Sequence, residues 1–204
     1  MPHTLNSEVT LTNGPATPEV VSVPRHKKHP PAGVKATTRM SRIWLEAVDA
    51  ATVVEGEEVT LMDWGNCVIR TIHRNAATTI VGIDAELHLE GSVKSTKLKL
   101  TWLPDTAELV PLRLADFDYL ITKKKVEEDD NFADIVNKHS KVESLAHGDA
   151  NMRTFQKGDV LQLERKGYFI VDQVFMREGT PMVLLNIPDG RAKSWGVSVS
   201  GQGK

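Results

Sequence analysis

The chain has 204 residues, of which 40% are hydrophobic and 25% charged, a composition typical of a soluble globular protein with one large or two small domains. Its net charge of −2 argues against a protein that coats nucleic acid irrespective of sequence, and no apolar run approaches the roughly 20 residues of a membrane-spanning helix. The single cysteine, Cys67, excludes an internal disulfide and a cysteine-based zinc site, which suits a reducing compartment.

The first half of the chain is predicted to consist of strands and loops. Residues 1–40 contain most of the ten prolines and little periodicity, so they are expected to run as extended strands and loops. From residue 43 onward apolar and polar side chains alternate with period two, as in half-buried strands. This alternation predicts strands within segments 43–46, 58–61, 66–70, 79–83, 86–90 and 97–102.

The second half continues this pattern and adds one short helix. Strands are predicted within 108–114, 118–122, 158–172 and 182–187. Phe132, Ile135 and Val136 recur at helical spacing, with Asp129 or Asp130 as the N-cap. Roughly a dozen short strands exceed what one small barrel holds, so we predict an all-β fold of two β-barrels. The polar tail 191–204 is predicted to be disordered.

Residues 158–172 predict a β-hairpin, because two apolar runs flank Lys166-Gly167 and the glycine can supply the positive φ of a tight turn. Gln162 interrupts one apolar run, and Arg165 stands beside the turn. An amide and a guanidinium a few residues apart offer the donors and the acceptor needed to read a splayed-out nucleobase. From spacing alone, the favoured interpretation is an ordinary amphipathic hairpin with two solvated polar groups.

Two pairs of lysines are candidates for phosphate contact. Lys27 and Lys28 stand between two histidines in a proline-rich loop, and Lys97 and Lys99 project from one strand face. Both pairs are also consistent with ordinary solvated cations, and for the loop the solvated interpretation is favoured.

Trp64 belongs to the turn Asp63-Trp64-Gly65-Asn66 between two predicted strands. Its side chain is predicted either to cover the end of a barrel, the favoured interpretation, or to stack on a base. The sequence contains no Ser/His/Asp, Cys/His, paired-carboxylate or phosphate-loop constellation, and no metal site is predicted. The residues alone therefore indicate an all-β binding module.

Eight motif blocks in a fixed order give the chain a specific resemblance to one family. The blocks are Trp44-Leu45-Glu46 to Asp49-Ala50, Glu55-Gly56-Glu57 to Asp63-Trp64-Gly65-Asn66, Leu100-Thr101-Trp102-Leu103, Tyr119-Leu120-Ile121-Thr122, Asn137-Lys138-His139-Ser140, Gly158-Asp159, Gln162 to Phe169, and Ile187-Pro188-Asp189-Gly190. Over about residues 2–191 they resemble the C-terminal anticodon-binding region of eukaryotic-type, cytosolic glutamyl-tRNA synthetase. The related glutaminyl-tRNA synthetase usually lacks the Trp-Gly-Asn turn and the Tyr-Leu-Ile-Thr block, so it is the alternative.

The resemblance implies two antiparallel β-barrels in tandem, the proximal one over residues 1–106 and 176–190 and the distal one over 107–175. In the family the middle anticodon base is a uridine held between the barrels, and its readers map onto Gln162 and Arg165. This pairing is chemically sound, because an amide can both donate to a uracil carbonyl and accept from its ring N–H.

Two features depart from the family pattern. The arginine expected beside the N-terminal proline is absent from Met1-Pro2-His3-Thr4. Segment 49–56, which aligns with the basic outer-base reader of the glutaminyl relatives, contains no Lys or Arg. The resemblance therefore assigns no readers for the first and third anticodon bases.

The resemblance implies that the chain recognises the anticodon of glutamate tRNA as part of a cytoplasmic class I glutamate–tRNA ligase, without binding DNA or a membrane. ATP and magnesium are implied for a catalytic half that nothing in this sequence matches, so this chain is expected to bind no cofactor and to be inactive alone. The alternative function is a protein-interaction scaffold whose partners are other synthetases in a complex. A free-standing enzyme has no catalytic constellation to support it.

Overall fold

The computed structural model describes residues 6–188, whose regular secondary structure consists almost entirely of short strands. They divide into two compact units, one containing residues up to Val110 with His147–Thr154, the other Pro111–Ala146 with the residues from Phe155 onward. The elements of the described residues are β1 (Asn6–Leu11), β2 (Glu19–Pro24), β3 (Val34–Arg39), β4 (Arg42–Glu46), α1 (Ala47–Ala50), β5 (Glu58–Leu61), β6 (Gly65–Arg74), β7 (Ile80–His88), β8 (Lys99–Leu100), β9 (Trp102–Pro104), β10 (Val110–Phe117), α2 (Phe132–Ile135), β11 (Lys141–Gly148), β12 (Val160–Leu163), β13 (Gly167–Gln173) and β14 (Met182–Ile187). The predicted all-β class is confirmed.

The first unit is built on a seven-stranded sheet with the order β8-β5-β6-β7-β1-β4-β9. Its two edge strands, β8 and β9, are separated in the chain by Thr101 alone. Because consecutive strands stand at opposite edges, the sheet must curl back on itself into a nearly closed barrel. The alternating side chains point into this barrel and form its core; they include Val9, Ile43, Leu45, Leu61, Ile69, Ile83 and Leu100.

Strands β2 and β3 form a separate antiparallel hairpin in the first unit. The loop that joins them carries the predicted basic segment with Lys27 and Lys28. The expectation of extended strands and loops in the first forty residues therefore holds for the described part of that segment.

A second sheet of five strands has the order β11-β10-β14-β13-β12. Strand β14 lies between β10, which it pairs in parallel, and β13, which it pairs antiparallel. The domain boundaries predicted above differ from this pairing. Residues 176–190 were expected in the proximal barrel, whereas β14 completes the second sheet, and residues 147–154 belong to the first unit rather than to a distal barrel over 107–175. Local alternation cannot show which distant strand supplies the hydrogen-bond partners.

Antiparallel barrels were predicted, whereas both large sheets contain parallel as well as antiparallel strand pairs. Within residues 6–188 three strand pairs are parallel, namely β1 with β7, β5 with β8, and β10 with β14. Strand direction depends on how the chain crosses between neighbours, and the alternation of side chains is the same in both directions.

The helix prediction is correct in place but not in its cap. The side chain of Asn131, not that of Asp129 or Asp130, caps α2 by accepting the Ala133 N–H at 3.2 Å. Asp130 instead accepts hydrogen bonds from Lys123 at 2.7 Å. A second single-turn helix, α1, was not predicted, and the predicted strand 118–122 is reduced to one bridge. The tail 191–204 lies outside the described residues.

Candidate nucleic-acid interface

The predicted hairpin is present in the second sheet as β12 and β13. The two strands pair antiparallel, with Gln162 opposite Tyr168 and Leu163 opposite Gly167. The Lys166 N–H donates to the Leu163 carbonyl at 3.1 Å and closes the turn. Gly167 has φ +113°, so the glycine supplies the left-handed backbone that the sequence predicted.

Arg165 also adopts a left-handed backbone, with φ +66°. The sequence did not reveal this, because the left-handed region is unfavourable for side chains such as arginine and costs roughly 1–2 kcal/mol. The side chain of Arg165 is exposed at the turn. A strained backbone that holds an exposed guanidinium marks this turn as a candidate functional feature.

Gln162 lies on the outward face of the hairpin. Its neighbour Leu161 and the opposing Phe169 are 8% and 2% exposed and pack inward, whereas Gln162 is exposed. Within residues 6–188 its side-chain amide has no hydrogen-bond partner. The donors and the acceptor of this amide are therefore directed at solvent, where a ligand can meet them.

An acidic side chain modifies the charge at the turn. Asp116 of β10 lies near enough to Lys166 for the two charges to interact. Partial burial raises the pKa of the Asp116 carboxyl above its ordinary value, and the Lys166 ammonium opposes that rise. The carboxylate therefore offsets part of the positive charge that Arg165 and Lys166 present.

The predicted phosphate contacts differ in their surroundings. Lys27 is paired with Asp63 at 2.8 Å, although its side chain remains 60% exposed. Lys28 and Lys97 are exposed, and within the described range their ammonium groups form no hydrogen bond or ion pair. Lys99 donates to both the carbonyl and the hydroxyl of Thr96, the latter at 2.6 Å, so one of its three N–H donors remains for another partner.

The bond from Lys99 begins a polar network through the first sheet. The Thr96 and Thr60 hydroxyls are 2.6 Å apart, and Thr60 donates to Asn66 Oδ1 at 2.8 Å. Thr96, Thr60 and Asn66 are all buried. Because their polar atoms are paired with one another, the network is compatible with a buried position.

The network ends at a carboxylate. Asn66 Nδ2 donates to Glu58 Oε1 at 3.1 Å, and His88 Nδ1 lies 2.7 Å from the same oxygen. The hydrogen bonds from His88 and Asn66 hold the pKa of the Glu58 carboxyl below its ordinary value. Beside this network, burial raises the pKa of the Cys67 thiol to about 12.

Trp64 is half-buried in the first unit rather than displayed at a loop tip. Its ring lies 4.8 Å from that of Trp102 between centroids, and the Arg39 guanidinium carbon stands 5.6 Å from its ring centroid. Arg39 also donates to the Asp63 carbonyl at 2.8 Å. These contacts support the packing role for Trp64, and its contribution to base stacking stays a prediction.

The predicted residues fall into two groups. Gln162 and Arg165 share one hairpin of the second unit, whereas Lys27, Lys28, Lys97, Lys99 and Trp64 belong to the first. Among residues 6–188 no cluster of three or more His, Cys, Asp or Glu side chains is placed to hold a metal. In the same range no helix is long and apolar enough to span a membrane. Tyr168 was not among the predicted site residues, although its position opposite Gln162 follows from the hairpin register.

The fold and the polar hairpin define an all-β binding region, and comparison with known proteins specifies its family. Two family models, both described as the anti-codon binding domain of class I (E and Q) tRNA synthetases, match residues 6–88 and 99–172 and together cover most of the chain. The chain belongs to this family of anticodon-binding domains.

Several curated proteins are similar over nearly the whole chain. A cytoplasmic glutamate–tRNA ligase of Arabidopsis thaliana is 57% identical over 183 residues, which is 90% of this chain and 26% of the relative. A probable cytoplasmic glutamate–tRNA ligase of Schizosaccharomyces pombe is 46% identical over 184 residues, again 90% of this chain and 25% of the relative. A bifunctional glutamate/proline–tRNA ligase of Cricetulus griseus is 38% identical over 205 residues, 96% of this chain and 14% of the relative. The chain thus spans about a quarter or less of the length of these relatives.

Proposed function

We propose that this chain binds the anticodon loop of glutamate tRNA on behalf of a glutamate–tRNA ligase. The observation that carries the proposal is the hairpin of β12 and β13, which presents the outward amide of Gln162 three residues from the exposed guanidinium of Arg165. Family membership supplies the class of ligand. The names of the similar proteins favour glutamate over glutamine, and a cytoplasmic location.

The hairpin chemistry suits a uracil edge. The Gln162 amide can donate to a uracil carbonyl and accept from the ring N–H, whereas cytosine and adenine present an amino group and a bare ring nitrogen in place of that pair. Arg165 carries a permanent charge and planar donors suited to a carbonyl or a phosphate. ATP and magnesium belong to the chemistry of a complete ligase, and we assign neither to residues of this chain.

The test compares Gln162→Ala with wild type on a glutamate anticodon stem-loop. Loss of the amide is expected to weaken binding by about 1–3 kcal/mol and to reduce discrimination at the middle base. Gln173→Ala is the matched control, because Gln173 is another exposed glutamine, at the far end of β13. Equal affinities of wild type and Gln162→Ala for the stem-loop would show that Gln162 does not contact the RNA.

A second comparison addresses the guanidinium. Arg165→Ala is expected to weaken binding more than Arg177→Ala, which removes the same charge from another exposed position of the second unit. The affinity of wild type is expected to fall as salt rises, because phosphate contacts release counterions. If both arginine variants lose the same affinity, Arg165 contributes only its positive charge to RNA binding and makes no specific contact.

The second candidate function is a contact surface for another synthetase. It is favoured by three apolar side chains of the second unit, Tyr119, Leu120 and Phe132, which are 52%, 69% and 61% exposed. The bifunctional relatives are named for two ligase activities in one protein. The test is co-purification with synthetases after RNase treatment, which Leu120→Lys should abolish without changing affinity for the stem-loop.

A further inference from the structure

Tyr168 stands directly opposite Gln162 in the hairpin. Directly opposed residues of an antiparallel pair point to the same face, with Cβ atoms about 4.5–5.5 Å apart. Tyr168 is 50% exposed, so about half of its surface is open to solvent. The ring and the amide are therefore neighbours on one accessible face.

The neighbouring positions on this face are apolar. Val160 and Ile170 form the next opposed pair on the same face, with Val160 60% exposed. On its other side Tyr168 faces Ile187 of β14, which is half-buried. A planar aromatic ring with apolar neighbours and an adjacent amide offers the two contacts a nucleobase makes, stacking on its face and hydrogen bonding at its edge.

We propose that Tyr168 is the stacking residue for the base whose edge Gln162 contacts; the proposal rests on the function proposed above. An exposed amide alone holds a base weakly, because water competes for the same hydrogen bonds. Stacking on Tyr168 adds affinity that does not depend on base identity, since every base has a π-face. Tyr168 thus contributes affinity for any base, and Gln162 contributes discrimination between bases.

The separate roles of Tyr168 and Gln162 are tested with stem-loops that carry each of the four bases at the middle anticodon position. Tyr168→Leu is expected to weaken binding to all four by a similar factor, about 5- to 100-fold, and to leave their affinity ratios unchanged. Tyr168→Phe keeps the ring and is expected to retain affinity within about threefold. Gln162→Ala is expected to bring the affinities for the four stem-loops close to one another.

Tyr119→Leu is the matched control, because Tyr119 is 52% exposed and belongs to the same unit. A direct readout uses 5-iodouridine at the middle position, which is expected to photo-crosslink to the peptide that contains Tyr168. Thermal unfolding of each variant verifies that the hairpin is intact, and the Phe variant keeps the test valid if the Leu variant unfolds.

The outcomes separate the two proposals. If wild type binds the glutamate stem-loop no better than an unrelated one, both the proposed function and the role of Tyr168 fall. If wild type discriminates and Gln162→Ala relaxes the discrimination, while Tyr168→Leu binds like wild type, only the role of Tyr168 is overturned. The same holds if Tyr119→Leu loses as much affinity as Tyr168→Leu, or if the crosslink maps elsewhere.

Discussion

Gly91 stands where a single methyl group would enter the hydrogen-bonded cluster of Glu58, Asn66 and His88. A Cβ atom there would lie 2.8 Å from Asn66 Nδ2 and 2.9 Å from His88 Nδ1, and deep inside van der Waals contact with Glu58 Oε1. The backbone of Gly91 is outside the left-handed region. The substitution Gly91→Ala therefore introduces the clash without backbone strain.

The loss of folding free energy in Gly91→Ala depends on which of the neighbouring side chains can move away from the added methyl group. The side chains of His88 and Glu58 are 53% and 30% exposed and can turn toward water, whereas Asn66 is fully buried. Once the carboxylate moves away, Asn66 Nδ2 remains as a buried donor without its partner, which costs about 1–3 kcal/mol. With a urea dependence of about 2 kcal/mol per M, the unfolding midpoint is expected to fall by roughly 0.5–1.5 M.

The assay is urea unfolding followed by tryptophan fluorescence, since Trp44, Trp64 and Trp102 all belong to the first unit. Gly82→Ala is the matched control. Gly82 lies in β7 of the same sheet, and its added Cβ would meet its nearest neighbour at an ordinary 3.7 Å. If the two alanine variants are equally stable, the argument that Gly91 is required by the polar cluster is refuted.

Three further predictions concern ionisable groups. Asp116→Asn is expected to raise affinity for the stem-loop by about 1.5- to 5-fold, because the carboxylate beside Lys166 is removed. Since burial raises the pKa of Asp116, its ionised form destabilises the fold at neutral pH, and the variant should unfold at an equal or higher temperature; weaker binding or a lower Tm contradicts this. Cys67, with a pKa of about 12, is expected to resist a thiol reagent at pH 8 until urea unfolds the chain, and rapid labelling of the native protein would be inconsistent with its burial. The pKa of Glu58 is lowered by folding, so its stabilisation is present above its ordinary value of 4.5 and is lost as the pH falls through the lower folded value. Melting between pH 6 and 3 should therefore show a weaker acid dependence for Glu58→Gln, and identical profiles would exclude this role.

The hairpin was predictable because its signals are local. The two apolar runs, the glycine after Lys166 and the polar Gln162 lie within fifteen residues, and the turn determines which residues face each other. The same register places Tyr168 opposite Gln162, so this neighbour was accessible from the sequence. The left-handed backbone of Arg165 was not, since arginine carries no preference for that conformation.

The surroundings of the lysines required the structure. Lys97 and Lys99 have the same alternation in the sequence, yet only Lys99 is held by Thr96 and joined to a buried network. Beyond Thr96, the network members Thr60 and Asn66 come from strands more than thirty residues away from Lys99 in the chain. No local pattern distinguishes a lysine that meets such a network from one that meets water.

By itself, the sequence determined the all-β class, the family, and the amide and guanidinium of the candidate site. These depend on side-chain alternation, on turn residues and on ordered motifs, all of which are local properties of the chain. Only the tertiary structure decided that β14 joins the second sheet between β10 and β13, and that β1 pairs with β7, β5 with β8 and β10 with β14 in parallel. Strand partners and directions are selected by hydrogen bonds between distant segments, and the period-two pattern is the same whichever partner is chosen.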